Sequence, residues 1–232
     1  MERPQIAHDR VTAAASARRW VVVAVSGCSL LLLSIVVGGV INDGYSQGRD
    51  YVSALSGRGS TAAFVGVVGL LGFSAANAAA GMTFRRLSTI ACSALMAAGV
   101  AGFVVAMARI SCPDGAARCS LEHDAESDAL DTVHAFAVGV YELCFFVGVV
   151  AAAVALIRMS DGSVGRSVPV ALVVLAVASS IVIQVMPEQD PGAVQRLWLA
   201  INSIAVLTVA FSGARAMGPS SPRAAARRLP GT

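Results

Sequence analysis

The stretch that decides the fold is Trp20–Ile41, WVVVAVSGCSLLLLSIVVGGVI, which contains no charged residue. A helix that crosses a bilayer needs about 20 apolar residues, because the hydrocarbon core is about 30 Å thick. The stretch meets that requirement without a break. A secretory signal peptide has a shorter apolar region, of about 7 to 15 residues, followed by a small-residue cleavage site. We therefore interpret this stretch as an uncleaved first transmembrane span.

Five further segments have a similar length and composition. The predicted spans are about residues 20–41, 61–82, 87–108, 132–157, 168–186 and 197–214. Of the 232 residues 56% are hydrophobic and 13% are charged, against about 25% charged in soluble domains. The basic residues are all arginines, and they do not form the basic, aromatic-studded surface of a nucleic-acid-binding protein. The sequence predicts an all-α, polytopic membrane bundle of six transmembrane helices, with the lipid bilayer and no nucleic acid as its partner.

The distribution of charge predicts the orientation of the spans, because cytoplasmic loops carry an excess of basic residues. Twelve arginines fall on the side of the two termini and five on the other side, whereas three acidic residues fall on the first side and ten on the second. We therefore expect both termini to be cytoplasmic, in a multi-pass protein of the plasma membrane. The tails at residues 1–19 and 215–232 are predicted to be disordered and attracted to anionic lipid. They flank a six-helix domain at residues 20–214.

Cys112 and Cys119 flank a turn-forming segment that begins Pro-Asp-Gly. Thiols on the predicted outer side tend to oxidise, so we expect a short disulfide hairpin, with free thiols as the alternative. A metal site formed with His123 is a further alternative, although the spacing matches none of the usual zinc patterns. We predict no metal and no cofactor.

An acidic run follows this hairpin. We interpret it as a solvated face that leads into the fourth span. Cation binding is the alternative, since hard ions prefer several carboxylate oxygens, although the run lacks the residue order of a calcium-binding loop. Its members are Glu122, Asp124, Glu126, Asp128 and Asp131.

The start of the fourth span places four polar residues on one face. At 100° per residue, Asp131, His134, Tyr141 and Glu142 fall within a sector about 100° wide. Glu142 lies about 16 Å deeper than Asp131 at 1.5 Å per residue, and an ionisable group near mid-membrane is a functional candidate by default. Two interpretations stay open. Either Glu142 is a protonated carboxyl group hydrogen-bonded to a neighbouring helix, or the four side chains line a polar cleft in which Asp131 orients His134 for proton transfer.

Two predicted outer loops supply further polar residues. The last loop, PEQDPGAVQRLW, places Gln195 and Arg196 at the mouth of the sixth span. Arg196 either pairs with an acid, holds an anionic head group or extends to the membrane interface. The first loop, NDGYSQGRDYVSALSGRGS, is either part of a site or a plain polar connector. Its polar candidates are Asp43, Tyr45, Arg49, Asp50 and Ser53.

Three segments together resemble the six-helix membrane family known as domain of unknown function 998. The loop YSQGRDYVSALSG is similar to the family's Tyr, Asp and Ser-x-Leu-Gly pattern, with Ser56 where the family usually has glycine. SCPDG followed by TVHAF is similar to its cysteine, proline and aspartate loop with a histidine opening the fourth span, and GAVQRLW to its Gly-x-x-Gln-Arg before the last span. The matching residues are Tyr45, Asp50, Ser53, Leu55, Cys112, Pro113, Asp114, His134, Gly192, Gln195 and Arg196. The resemblance covers residues 20–214 and implies a fold but no activity, since the family's function is itself unknown.

Missing motifs narrow the function to three classes, because the chain has no Walker loop, dinucleotide fingerprint, HExxH or serine-hydrolase elbow. We rank a non-catalytic membrane component first. An enzyme acting on a lipid or isoprenoid-like substrate comes second, and a small-molecule transporter or exporter using Glu142 third. The catalytic candidates are His134 and Asp131 as an acid–base pair, Glu142, and Asp50. The substrate-binding candidates are Tyr45, Ser53, Tyr141, Gln195 and Arg196.

Overall fold

The structure is a computed structural model that describes residues 3–42, 44–111, 129–159, 165, 167–184 and 190–217, with side chains described from residue 15 onward. These residues form six α-helices and one short 3₁₀ helix, η1, and contain no strand. In chain order they are α1 Arg3–Ile41, η1 Val52–Ser56, α2 Ala63–Thr83, α3 Thr89–Met107, α4 Ala129–Arg158, α5 Ser167–Gln184 and α6 Pro191–Ala216. All six α-helices are long and apolar enough to cross a membrane. The predicted all-α bundle of six transmembrane helices is confirmed.

The helices differ from the predicted spans at their ends. The sequence predicts a disordered tail over residues 1–19, whereas α1 begins at Arg3. This segment is rich in alanine and arginine, which are strong helix formers, and its proline lies in the first turn, where a helix tolerates it. Helix α6 begins at Pro191 rather than near residue 197, because proline at the first helical position fits the helix backbone. Gln195 and Arg196 therefore belong to the first turns of α6.

Small residues line the contacts between helices, and many large apolar residues face outward. A side-chain carbon added at Gly27 of α1 would collide with the backbone of Gly72 on α2, so these two helices are in close contact. Phe64 and Phe136 are 80% and 74% exposed. This arrangement is typical of membrane helices, which pack through small residues and leave their apolar side chains to lipid.

Consecutive helices pack against one another, and α6 closes the bundle against α1 and α2. Helices α1, α3 and α5 end, and α2, α4 and α6 begin, at the same end of the bundle, which we call the loop end. Helix η1 lies there with all five of its residues buried. A side-chain carbon at Gly66 of α2 would meet the backbone of Leu55 and Ser56. The absence of a side chain at this glycine therefore allows η1 to pack directly on α2.

Candidate functional site

Arg196, in the first turns of α6, is bound to the loop between α1 and α2. Its Nε donates to Oε1 of Gln47 over 2.7 Å, and its Nη1 donates to the carbonyl oxygens of Asp50 and Gly192 over 3.0 and 2.8 Å. Its Nη2 donates to the hydroxyl oxygen of Tyr45, whose ring lies 5.4 Å from the guanidinium carbon. All three nitrogens of the guanidinium group therefore donate within the chain.

Gly192 and Gln195 hold the same loop from the same helix. Oε1 of Gln195 accepts a hydrogen bond of 2.5 Å from the backbone N–H of Val52, the first residue of η1. A side-chain carbon at Gly192 would collide with the carbonyl oxygen of Asp50. The Gly-x-x-Gln-Arg segment thus has three roles. Gly192 allows α6 to approach the loop between α1 and α2, Gln195 caps η1, and Arg196 binds the same loop.

Tyr45 and Asp50 complete the loop cluster. Burial raises the pKa of Tyr45 to about 12, although the charge of Arg196 and its hydrogen bond lower it in part. Its neutral hydroxyl donates to the carbonyl oxygen of Tyr51 over 3.1 Å. Oδ2 of Asp50 accepts a 2.6 Å hydrogen bond from the N–H of Ser46. The carboxylate therefore stabilises a turn within its own loop.

His134 and Asp131 bind the end of α3. Nδ1 of His134 lies 2.8 Å from the carbonyl oxygen of Ala108, and it carries the hydrogen of this bond because a carbonyl only accepts. Asp131 accepts from the backbone N–H of Ser111 over 2.8 Å and from its hydroxyl group. In one of the two interpretations drawn from the sequence, Asp131 orients His134. The Ala108 carbonyl holds Nδ1 of the ring, and Asp131 acts on the ring through its charge.

Arg109 connects this junction to the loop cluster. Its Nε donates to the carbonyl oxygen of Ser56 and its Nη2 to that of Gly57, both over 2.8 Å. The N–H of Arg58 donates to the carbonyl oxygen of Ile110 over 2.9 Å. The end of η1 is therefore fastened to the end of α3.

A small, mostly apolar cavity of about 50 Å³ lies beneath these contacts. Its wall includes Ser53 of η1, His134 and Tyr141 of α4, and Gln195 and Trp198 of α6. Asp131 and Glu142 are not part of this wall, so the predicted cleft contains only two of its four expected residues. A water molecule needs about 10–15 Å³ of such volume. The cavity therefore has room for a few waters and not for a lipid chain.

Glu142 is bound to two neighbouring helices. Its Oε1 lies 3.0 and 3.1 Å from the hydroxyl oxygens of Ser179 and Ser180 on α5. Its Oε2 accepts from the indole N–H of Trp198 on α6 over 3.1 Å. The carboxyl group therefore connects α4 with α5 and α6 inside the bundle.

Sequence reasoning missed several of these partners. The serines on α5 carry a usable signal, because polar residues are uncommon in spans as apolar as these. Gln47 and Arg109 carry no comparable signal, since polar residues at the ends of spans are ordinary.

Some predictions lie outside the described residues. They concern the Cys112–Cys119 disulfide, the alternative metal site with His123, and the acidic run before Asp131. The described cysteines, Cys28, Cys92 and Cys144, are free. No cluster of three His, Cys, Asp or Glu suited to a metal ion occurs in the described part of the chain.

Comparison with known proteins identifies a family but no characterised relative. Neither the curated proteins nor the solved structures include a match to this chain. One family model, described as "Protein of unknown function (DUF998)", matches residues 12–212. This range covers most of the chain and contains all three segments that resemble the family's motifs, from Tyr45 to Trp198. The chain belongs to the DUF998 family of membrane proteins of unknown function.

Proposed function

We propose that this protein is a non-catalytic component of the plasma membrane, and that its loop-end polar residues act to fasten the bundle. The observation that carries the proposal is the use of Arg196, whose guanidinium group makes four hydrogen bonds within the chain. A residue that holds a substrate head group needs donors directed at the ligand. Here three of the four bonds are directed at the loop that contains Tyr45 and Asp50, and the fourth at Gly192 of α6.

The size of the cavity supports the same conclusion. At about 50 Å³ it is well below the roughly 300–1,000 Å³ of sites that bind drug-sized ligands. An isoprenoid or lipid tail would fit only if residues of the cavity wall moved apart.

His134→Asn separates the fastening role from a catalytic one. The asparagine amide can donate to the Ala108 carbonyl much as Nδ1 does, but it cannot transfer a proton near neutral pH. We expect this variant to complement a strain that lacks the gene as well as the wild-type protein does. Complementation measured at equal protein level in the membrane tests this.

His134→Ala is the matched control, because it removes the donor as well as the imidazole. We expect it to lower the thermal stability of the purified protein while His134→Asn leaves it close to that of the wild type. If His134→Asn is as abundant and as stable as the wild type yet fails to complement, the protein depends on proton transfer and the non-catalytic proposal is wrong.

One observation favours a second candidate, a membrane enzyme acting on a lipid or isoprenoid-like substrate. His134 forms part of the cavity wall and its Nδ1 is held by a backbone carbonyl. Such support fixes the tautomer and orients the other ring nitrogen, as a general acid or base requires. In that case Ser53 and Gln195, which share the wall, would position the substrate. The His134→Asn experiment distinguishes the two candidates.

We further propose that both termini are cytoplasmic, on the strength of the twelve arginines on their side. A membrane-impermeant thiol reagent tests this on intact cells, in a chain whose own five cysteines are replaced. A cysteine introduced at Arg85, between α2 and α3, should react only after the membrane is opened. A cysteine introduced at Arg49, in the loop before η1, should react in intact cells. The reverse pattern would invert the topology.

A further inference from the structure

A row of polar side chains crosses the centre of the bundle. It begins at Glu142 on α4, passes to Ser179 on α5 and to Asn202 on α6, and continues past the hydroxyl of Tyr141 to Asn77 on α2. Glu142 lies thirteen residues after the start of α4, about 20 Å along the axis at 1.5 Å per residue. The row therefore lies deep within the span.

The hydroxyl groups beside Glu142 have more oxygen neighbours than hydrogens. Ser179 Oγ lies 3.0 Å from Glu142 Oε1 and 2.6 Å from Asn202 Oδ1. Ser180 Oγ lies 3.1 Å from the same Oε1 and 3.2 Å from the carbonyl oxygen of Ala176. Each hydroxyl has one hydrogen to donate. If Glu142 is ionised, each serine hydroxyl can donate to only one of its two oxygen neighbours. The other short oxygen–oxygen contact then has no hydrogen between the two atoms.

The side-chain amide of Asn202 resolves the contact at Ser179. Its Nδ2 is buried without a hydrogen-bond partner, and so is the Tyr141 hydroxyl beside it. The two ends of an amide are assigned from their hydrogen-bond partners. With the ends exchanged, Nδ2 donates to Ser179, whose own hydrogen then goes to Glu142. The amide oxygen now faces Tyr141 and can accept from its hydroxyl.

No such exchange is available at Ser180, because the Ala176 carbonyl belongs to the backbone and only accepts. A proton on Glu142 resolves this contact. The carboxyl group then donates to Ser180, which donates in turn to Ala176. The other carboxyl oxygen accepts from the indole N–H of Trp198, as the carbonyl oxygen of a neutral acid does.

The surroundings of Glu142 do not favour a charge. The titratable group beside it is the Tyr141 hydroxyl on the same helix, and the thiol of Cys28 on α1 is a further titratable group near that hydroxyl. Helices α5 and α6 contact the carboxyl group with neutral residues. These are Ser179, Ser180 and Trp198. A carboxylate in the interior of a bilayer is costly unless it is paired, so these surroundings favour the neutral acid.

We propose that Glu142 is an intramembrane proton-binding site, in which the carboxyl group holds a proton and donates it to Ser180. Ser179, Asn202 and Tyr141 extend the site as a hydrogen-bonded row toward Asn77. This inference goes beyond the fastening role of the loop end and does not depend on it.

Infrared difference spectroscopy of the protein in lipid bilayers tests the site directly. At neutral pH the wild type should show the C=O stretching band of a protonated carboxyl group, and Glu142→Gln should lack it. Asp190→Asn removes an exposed carboxyl at the start of α6 and is the matched control. We expect it to leave the protonated band unchanged.

Ser180→Ala gives a second readout that keeps Glu142 in place. It removes the oxygen that accepts the carboxyl proton, so the band should persist and move to higher frequency as its hydrogen bond weakens. The proposal is overturned if the wild type lacks the protonated band, if Glu142→Gln retains it, or if Ser180→Ala leaves its frequency unmoved. Because Ser180→Ala does not alter Glu142, it tests the proposal even if Glu142→Gln does not fold.

Discussion

Gly192→Ala will lower the free energy of unfolding by about 3 kcal/mol, toward the upper end for an overpacked site. The added carbon would collide with the carbonyl oxygen of Asp50 and come close to that of Gly48. Both atoms belong to the backbone, so neither can rotate away as a side chain does. The loop must then move off α6, which weakens the contact between Gln195 and Val52. Unfolding by SDS titration in mixed micelles, followed by circular dichroism, measures the loss.

Gly139→Ala is the control for this substitution. Gly139 lies in α4, and a side-chain carbon there would meet nothing within 4 Å. Alanine is the better helix former by about 1 kcal/mol, so this variant should be neutral or slightly stabilised. Equal losses at Gly192 and Gly139 would show that the close approach of α6 to the first loop is not what stabilises the bundle.

Arg196→Ala will destabilise the protein by an amount similar to that of Gly192→Ala, about 3 kcal/mol, and will loosen the loop selectively. Hydrogen bonds from charged donors contribute about 1.5–3 kcal/mol each when measured singly, but they are not additive. The substitution removes four such bonds and leaves Gln47 and Tyr45 without their donor. Hydrogen exchange should therefore quicken at the amides of residues 44–57 more than in the middle of the helices.

Two further variants make this result specific. Arg196→Lys keeps the charge but replaces the planar fork with a single ammonium group, so it should recover only part of the lost stability. Arg86→Ala removes an exposed arginine at the opposite end of the bundle, and should change stability by less than about 0.5 kcal/mol. If Arg196→Ala behaved like Arg86→Ala, the loop-end fastening would have no energetic basis.

The spans were predictable from the sequence because a bilayer imposes one dominant requirement, a long apolar helix. The ends of the helices were less accessible to the same reasoning. Pro191 follows Asp190 in a segment that resembles a turn, yet proline at the first helical position also marks a helix start. Hydropathy cannot detect such a start, because the first turns of α6 are polar.

The site was only partly predictable. The sequence singled out His134, Tyr141, Gln195 and Arg196, and the structure places each of them at the loop end or on the cavity wall. Their partners were beyond reach, because most are backbone oxygens that no side-chain pattern marks. The charge of Asp131 acts on His134, as their spacing predicts, but the last carbonyls of a helix also lack partners within it. One of these, on Ala108, takes the His134 hydrogen.

Helix η1 has a consequence for biogenesis. Its first amide is satisfied by Gln195, which follows it by 143 residues. The first hairpin of the protein is therefore incomplete when it leaves the ribosome, and its buried 3₁₀ turn acquires its cap only after the sixth helix has been inserted. Closure of the loop end thus requires integration of the last helix, in a protein whose six helices are each long and apolar enough to cross a bilayer.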